Sequence, residues 1–339
     1  MLDIAQLLSS TALQHADKVR GGAQLSGERA SAGDVLATRV ARRYYVDEHS
    51  KLQIAAELGI SRFKVARLLE LARARGIVSI TITGPGARDL ELADRLRERY
   101  GLKHVLVATT TEDDDAVMRR DLGAVAADLL AEITGPHDVL GLGWARSVLE
   151  MAAHLRKVNV EEVVQLTGAL TRPDVESSAT ELVRDVARRV GARASVFYAP
   201  MIVSDPETAR ALVRQPPVAD AFARFGAVTK AVIGVGGWNP GTSTLSDALT
   251  ESEREQMVRS RVRADLSGVL LDAGGHATDS PLRDRIIAIS APELRRIDEV
   301  IGIAYGLDKV PAALAAIRGR YLDSLVTHTA FAEALLGGA

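Results

Sequence analysis

Apolar residues keep two rhythms along this chain of 339 residues, one helical and one strand-like, and the change falls near Gly86. From Asp34 onward Val35, Leu36, Val40, Tyr44 and Tyr45 recur near a helical period, so DVLATRVARRYYVDE predicts a helix. Two shorter helices are predicted over Lys51–Leu58 and Ser61–Arg75. Gly76 stops the last of them, IVSITIT then alternates as a strand, and Gly84-Pro85-Gly86 marks a boundary.

After Gly86, strand-length apolar runs alternate with helix-length stretches: HVLVATT, DVLGLGW, EEVVQLTG, RASVFYA, KAVIGVGG, GVLLD, EVIGIAYG and LDSLVTH. Strands separated by helices build βαβ units and a mostly parallel sheet buried on both faces. The expected fold class is α/β, with an N-terminal all-α domain followed by a mostly parallel α/β domain. The expected divisions are 1–33, an extension partly helical near its start and flexible after Arg20; 34–83, the helical domain; and 84–339, the α/β domain. Ligands of such sheets collect at the carboxyl ends of the strands, which directs the search to the loops there.

Composition narrows the picture. At 47% the hydrophobic residues can fill a sizeable core, and 4% aromatics suit helices on a parallel sheet better than an aromatic-rich sandwich. With no cysteine the chain has no disulfide framework or thiolate metal site, which fits a reducing cytoplasm. The first residues lack a basic start followed by a long apolar core, and nowhere do about 18 apolar residues run uninterrupted. A soluble, unexported, cytoplasmic protein with no membrane partner is expected.

The net charge of −2 gives the whole molecule no strong pull on nucleic acid. Its distribution is more informative: between Arg39 and Arg75 nine basic residues stand against four acidic ones, an excess of five. Within that stretch, IAAELGISRFKVARLL places Ile54, Ala55 and Leu58 on one helical face, Gly59 where a tight turn needs positive φ, and Ser61 where it can cap the next helix. Val65, Leu68, Leu69 and Ala72 then point inward, leaving Arg62, Phe63, Lys64 and Arg67 outward near the N-terminal end. An ordinary helical hairpin with solvated cations fits this pattern, and so does a helix-turn-helix that reads base edges from the start of its second helix. Phe63 exposed among three cations favours the second, since a thymine methyl gives an apolar ring a reason to be outside.

YYVDEHSKLQIAAELGISRFKVARLLELARARGIVSITI resembles the DNA-binding segment of the SorC family of bacterial sugar-responsive transcription regulators, in which a helix-turn-helix precedes a large effector domain. The likeness continues through VLGLGWARSV, VVQLTGAL, FYAPMIVSDPETARALV, AVIGVGGWNP and VIGIAYGLDKVPAALAAIRGRYLDSLVTHTAFAEALL, nearly the whole chain after Asp34. Helix-turn-helix patterns recur across many families; the ordered set of later motifs is more specific. The resemblance implies a helix-turn-helix followed by a Rossmann-like, sugar-phosphate isomerase/deaminase-like effector domain, double-stranded operator DNA and a phosphorylated sugar or polyol as partners, and a homo-oligomer, dimer or tetramer. Neither cofactor nor metal is expected. The residues expected at DNA are Lys51, Gln53, Ser61, Arg62, Phe63, Lys64 and Arg67.

For the effector, DVLGLGWARSV is a strand running through a glycine-containing loop into a helix, so Gly143, Trp144, Ala145, Arg146 and Ser147 are candidates to hold a phosphate or sugar oxygen. A plain tight turn gives the same pattern. In the family resembled, this loop commonly reads Trp-Gly followed by small hydroxyl residues; here Ala145 stands in the glycine position and Arg146 brings a cation of its own. Lys309, early in a helix, gains nothing from the macrodipole and so has either an anionic partner or solvent; the resemblance implies a phosphate. Asp265 is either a solvent-facing aspartate or, as the resemblance implies, a ligand of sugar hydroxyls, and Gln165 and Gly168 either pack a strand end or border the same crevice.

An isomerase-like fold does not decide function, so catalysis needs its own test. General acid–base work on a sugar needs a positioned carboxylate or histidine. His15, His49, His104, His137, His154, His276 and His328 form no cluster and have no metal-ligand spacing, which favours a regulator over an enzyme.

Overall fold

The computed structural model describes residues 32–78, 88–109, 114–156, 158–170 and 177–338. Most of the expected extension, most of the strand expected over 77–83 and the Gly84-Pro85-Gly86 boundary lie outside the described residues. The chain divides into two compact units, Met1–Ile82 and Thr83–Ala339.

The first unit holds α1 (Ala32–Tyr45), α2 (Lys51–Leu58) and α3 (Arg62–Ala74). Ser50 begins α2 through a capping box with Gln53, and Gly59 ends it with φ 62°, the left-handed conformation that glycine adopts without a steric penalty. Ala37, Val40 and Ala41 of α1 meet Ile54 of α2 and Val65, Leu68, Leu69 and Ala72 of α3 in one small core. Val35, counted in the expected apolar stripe, is exposed instead. The i, i+3, i+4 set Ala37, Val40 and Ala41 lets the helices approach more closely, and Tyr44 and Tyr45 stack edge to face at its rim, 4.9 Å apart.

The second unit continues with α4 (Leu90–Tyr100), β1 (His104–Ala108), α5 (Asp115–Ile133), β2 (Val139–Leu142), α6 (Arg146–His154), β3 (Glu162–Gln165), α7 (Ala179–Val190) and β4 (Arg193–Ser195). Next come α8 (Pro206–Val213), α9 (Pro216–Ala223), β5 (Lys230–Gly234), β6 (Gly236–Gly237), α10 (Thr244–Asp247), α11 (Glu251–Arg259), β7 (Ala264–Leu266) and β8 (Val269–Leu271). The unit closes with α12 (Ala291–Leu294), β9 (Glu299–Ile303), α13 (Val310–Arg318), β10 (Ser324–His328) and α14 (Thr329–Gly337).

Among the described residues seven strands form one parallel sheet in the order β1-β10-β9-β5-β2-β3-β4. Every residue of β2, β3, β9 and β10 is buried, as expected where helices cover both faces. One apolar layer brings Leu92 and Leu96 of α4, Phe197, Phe225, and the alanines of α13 against the sheet. The other gathers Leu122 and Leu130 of α5, Val148 and Met151 of α6, and Val183 and Val186 of α7.

GVLLD departs from expectation. It forms β8 in a separate three-stranded sheet, antiparallel in the order β6-β7-β8, and not a strand of the main sheet. The connection from β7 is only Ser267-Gly268, which permits a hairpin but cannot make the crossover that a parallel strand needs.

Candidate functional site

In the first unit, burial of Val65, Leu68, Leu69 and Ala72 sets the rotation of α3. Arg62, Phe63, Lys64 and Arg67 are consequently exposed, Phe63 to 84%. Among the described residues Arg62, Lys64 and Arg67 make no ion pair, nor do the exposed Arg39 and Arg42 of α1, while Arg43 pairs with Glu57, Arg75 with Asp34, and Arg73 donates to the Tyr45 hydroxyl at 2.9 Å. Three unpaired cations thus surround an apolar ring in the N-terminal half of α3. Lys51 sits 5.7 Å from the Tyr44 ring. Gln53 and Ser61 also have structural work: Gln53 Oε1 accepts from the Ser50 N–H at 2.8 Å, and Ser61 Oγ accepts from the Lys64 N–H at 3.2 Å. The Gln53 amide hydrogens and the Ser61 hydroxyl hydrogen remain as donors.

In the second unit, strand order reverses between β2 and β5, the switch point where loops diverge and leave a crevice. A cleft opens there, lined by Trp144, Ala145, Arg146 and Ser147 after β2, by Gly234, Val235 and Gly236 after β5, and by Ile303, Tyr305 and Lys309 from the end of β9 onward. Asp115 and Arg119 of α5, the run Gly241 to Leu245, Asp265, Ser267, Leu170 and Met201 complete its walls.

The cleft is polar and cationic on one side. Arg119, Arg146 and Lys309 line it, and Arg119 lies 4.0 Å from Asp115, one helical turn earlier. Lys309 Nζ lies 4.1 Å from the centre of the Tyr305 ring and makes no ion pair among the described residues. Burial pulls its pKa below the ordinary lysine value; Asp115 and Asp247 oppose this, and Arg119 and Arg146 add to it. At the opposite ends of the strands the charges are matched, Lys230 with Asp138 at 3.2 Å and Arg224 with Glu162 at 2.5 Å. The carboxyl end therefore holds a cation that makes no ion pair among the described residues.

Asp265 is a buried residue of β7 and not a solvent-facing loop aspartate. Burial raises its pKa, while a hydrogen bond from the Gly268 N–H at 2.9 Å and another from the Ser243 hydroxyl at 2.8 Å favour the ionised form. Ala145 has φ −157° and ψ 153°, extended backbone open to any residue, so alanine needs no glycine geometry here. Its methyl stands over Gly234, where a Cβ would lie 2.5 Å away, and this leaves only glycine at 234. Ala145 puts no side-chain cap on α6, whose first N–H groups open at the cleft. Trp144 is fixed by its indole N–H, which donates to the Ser177 carbonyl at 2.8 Å.

Of the effector candidates, Trp144, Ala145, Arg146, Ser147, Asp265 and Lys309 come together in this cleft. Gly143, Gln165 and Gly168 do not line it. Gly143 is buried beneath Ser267, whose Oγ would lie 2.0 Å from a Cβ there. Gly168 lets the chain pass the backbone of Pro200 and Met201, 2.7 Å from where its Cβ would be. Gln165 is fully buried; its amide donates to the carbonyls of Thr167 and Phe197 at 2.8 and 3.1 Å, and its carbonyl accepts from Thr180 and the Phe197 N–H. Its hydrogen-bonding capacity is spent inside the wall.

Sequence reasoning missed Asp115, Arg119, Ser267, Tyr305 and the loop through Gly241 to Leu245. The loop had a signal, since GGWNPGTST follows a strand and is rich in turn and hydroxyl residues. Arg119 had none: it reaches the cleft from a helix whose rotation is set by packing. Among the described residues no helix is long and apolar enough to cross a membrane, and no cluster of His, Asp and Glu could hold a metal ion.

A family model described as "Putative sugar-binding domain" matches residues 85–337. The sorbitol operon regulator of Klebsiella pneumoniae is 28% identical over 309 residues, covering 89% of this chain and 97% of its own. EryD, an erythritol catabolism regulatory protein of Brucella abortus, is 27% identical over 313 residues, covering 91% and 98%. The crystal structure of the full-length sorbitol operon regulator SorC from Klebsiella pneumoniae aligns with a TM-score of 0.70 at 25% identity, over 89% of this chain and 98% of that one.

Proposed function

The chain belongs to the SorC family of sugar-binding transcriptional regulators, and from that premise we propose that it binds operator DNA through α3 and is controlled by a phosphorylated sugar or polyol held in the cleft between β2, β5 and β9. The observation that carries the reading is Lys309, a half-buried cation that makes no ion pair among the described residues, in a cleft shared with Arg119 and Arg146. A phosphate group would supply the missing charge, with the uncapped start of α6 offering backbone donors. Asp265, Ser147 and the hydroxyls of Thr242 and Thr244 would face the sugar.

At DNA, Arg62, Phe63 and Arg67 would meet base edges, with Lys51, Gln53, Ser61 and Lys64 holding phosphates. One such helix makes few phosphate contacts, so the working form is a homo-oligomer, dimer or tetramer, that brings at least two helices to one operator. A catalytic reading has one point in its favour, since a buried aspartate with a raised pKa can serve as a general acid. We favour binding without turnover, because Asp265 is already engaged by Ser243 and Gly268 and no histidine lines the described cleft.

The test is a labelled fragment from upstream of the chain's own gene, bound by the protein and challenged with phosphorylated pentoses, hexoses and polyols. These ligands are first ranked by thermal shift, where one at 100 times its dissociation constant adds about 2.7 kcal/mol. One of them should alter binding and be recovered unchanged. Indifference to all of them would refute effector control; a product in the recovered ligand would establish an enzyme instead.

A further inference from the structure

Ser267 occupies the turn between β7 and β8 with φ 53°, followed by Gly268 at φ 92°. This left-handed conformation suits glycine or asparagine and is unfavourable for serine. The side chain is more than nine-tenths buried, and its Oγ has no hydrogen-bond partner among the described residues. Each feature alone would make serine a poor choice for stability; here they coincide on one residue of the cleft wall.

The surroundings hold the strain in place. The Asp265 carboxylate accepts from the Gly268 N–H and the Ser243 hydroxyl, which ties the turn to the loop that carries Ser243. Asp265, in the strand, and Ser267, in the turn two residues on, both line the cleft. The Ser267 hydroxyl rests against Gly143 in the wall, and rotation about one bond, Cα–Cβ, redirects it.

We infer that Ser267 is a specificity-determining residue of the effector cleft, whose unsatisfied hydroxyl pairs with a ligand hydroxyl beside Asp265. This rests on the proposed sugar-phosphate site. It selects within that class: a ligand with a hydroxyl at the recognised carbon satisfies Ser267, and the matching deoxy ligand leaves it unpaired.

Stability without ligand provides the first test. Ser267→Ala removes the orphan hydroxyl, and Ser267→Gly also relieves the positive φ. Both variants should melt no lower than wild type, the glycine variant higher. The second test uses ribose 5-phosphate against 2-deoxyribose 5-phosphate and glucose 6-phosphate against 2-deoxyglucose 6-phosphate, with inorganic phosphate as control. For whichever pair wild type discriminates, Ser267→Ala should bind the hydroxylated member about tenfold more weakly, the deoxy member equally, and inorganic phosphate unchanged. A fall of several degrees in the ligand-free melting temperature of both variants overturns the inference, as does undiminished discrimination by Ser267→Ala. If no sugar phosphate binds wild type, the sugar-phosphate site is at fault, and the ligand-free melting temperatures still decide whether Ser267 is held against its own preference.

Discussion

Lys309 shows how one residue can carry a functional argument. Its ammonium is half-buried on a tyrosine face with two arginines near, so its pKa lies below the usual lysine value. A bound phosphate would restore that value, because an opposite charge favours the charged form. In the complex the pKa is thus higher than in the free protein, so binding takes up protons at alkaline pH. Affinity is full below the free-state pKa and falls as pH rises through the bound-state pKa. Calorimetry in alkaline buffers of differing ionisation enthalpy should record proton uptake, and Lys309→Ala should abolish it. The same variant should lose about 1.5–3 kcal/mol of sugar-phosphate affinity while binding operator DNA normally. An equal loss for the dephosphorylated sugar would remove Lys309 from the phosphate.

At the scale of the element, α3 separates its buried residues from its exposed cations by face. Val65, Leu68, Leu69 and Ala72 hold it in the small core, so substitutions on the opposite face should leave folding intact. Arg62→Ala should cost about 1–3 kcal/mol of operator binding and relax preference at one base position, whereas Lys64→Ala should weaken all sequences alike and reduce the salt slope by about one. Binding titrations over a range of salt concentrations on operator and scrambled DNA separate the two outcomes. Unchanged affinity in both variants would mean that the exposed cations are merely solvated.

For the whole molecule, a ligand in the second unit can alter DNA affinity in the first only if it binds one arrangement of the protein more tightly than another. Such coupling is typically about 1–3 kcal/mol and is reciprocal. Saturating operator DNA should therefore shift the dissociation constant of the sugar phosphate by the same factor as saturating sugar phosphate shifts that of the DNA. Measuring both by titration checks the cycle; a shift in one direction only would mean that the ligand acts by another route, such as a change of assembly not included in the cycle.

Local chemistry made much of this protein legible in its sequence. Gly59, Ser61 and the inward set on α3 could be read because turn, cap and helical period act over four to eight residues. The buried strands could be read because a parallel sheet covered on both faces leaves continuous apolar runs; the carboxyl-end rule directed attention to Trp144 through Ser147, and the family resemblance to Lys309. What the sequence left undecided depends on contacts between distant segments. Gln165, Gly143 and Gly168 lie beside the cleft in sequence logic, yet three-dimensional packing turns them into the wall, through Thr180 and Phe197, Ser267, and Met201 respectively. Arg119, Tyr305 and Ser267 enter the cleft for the converse reason: helix rotation, strand order and a two-residue hairpin carry them there, and each of these is fixed by burial of other residues rather than by any property of their own.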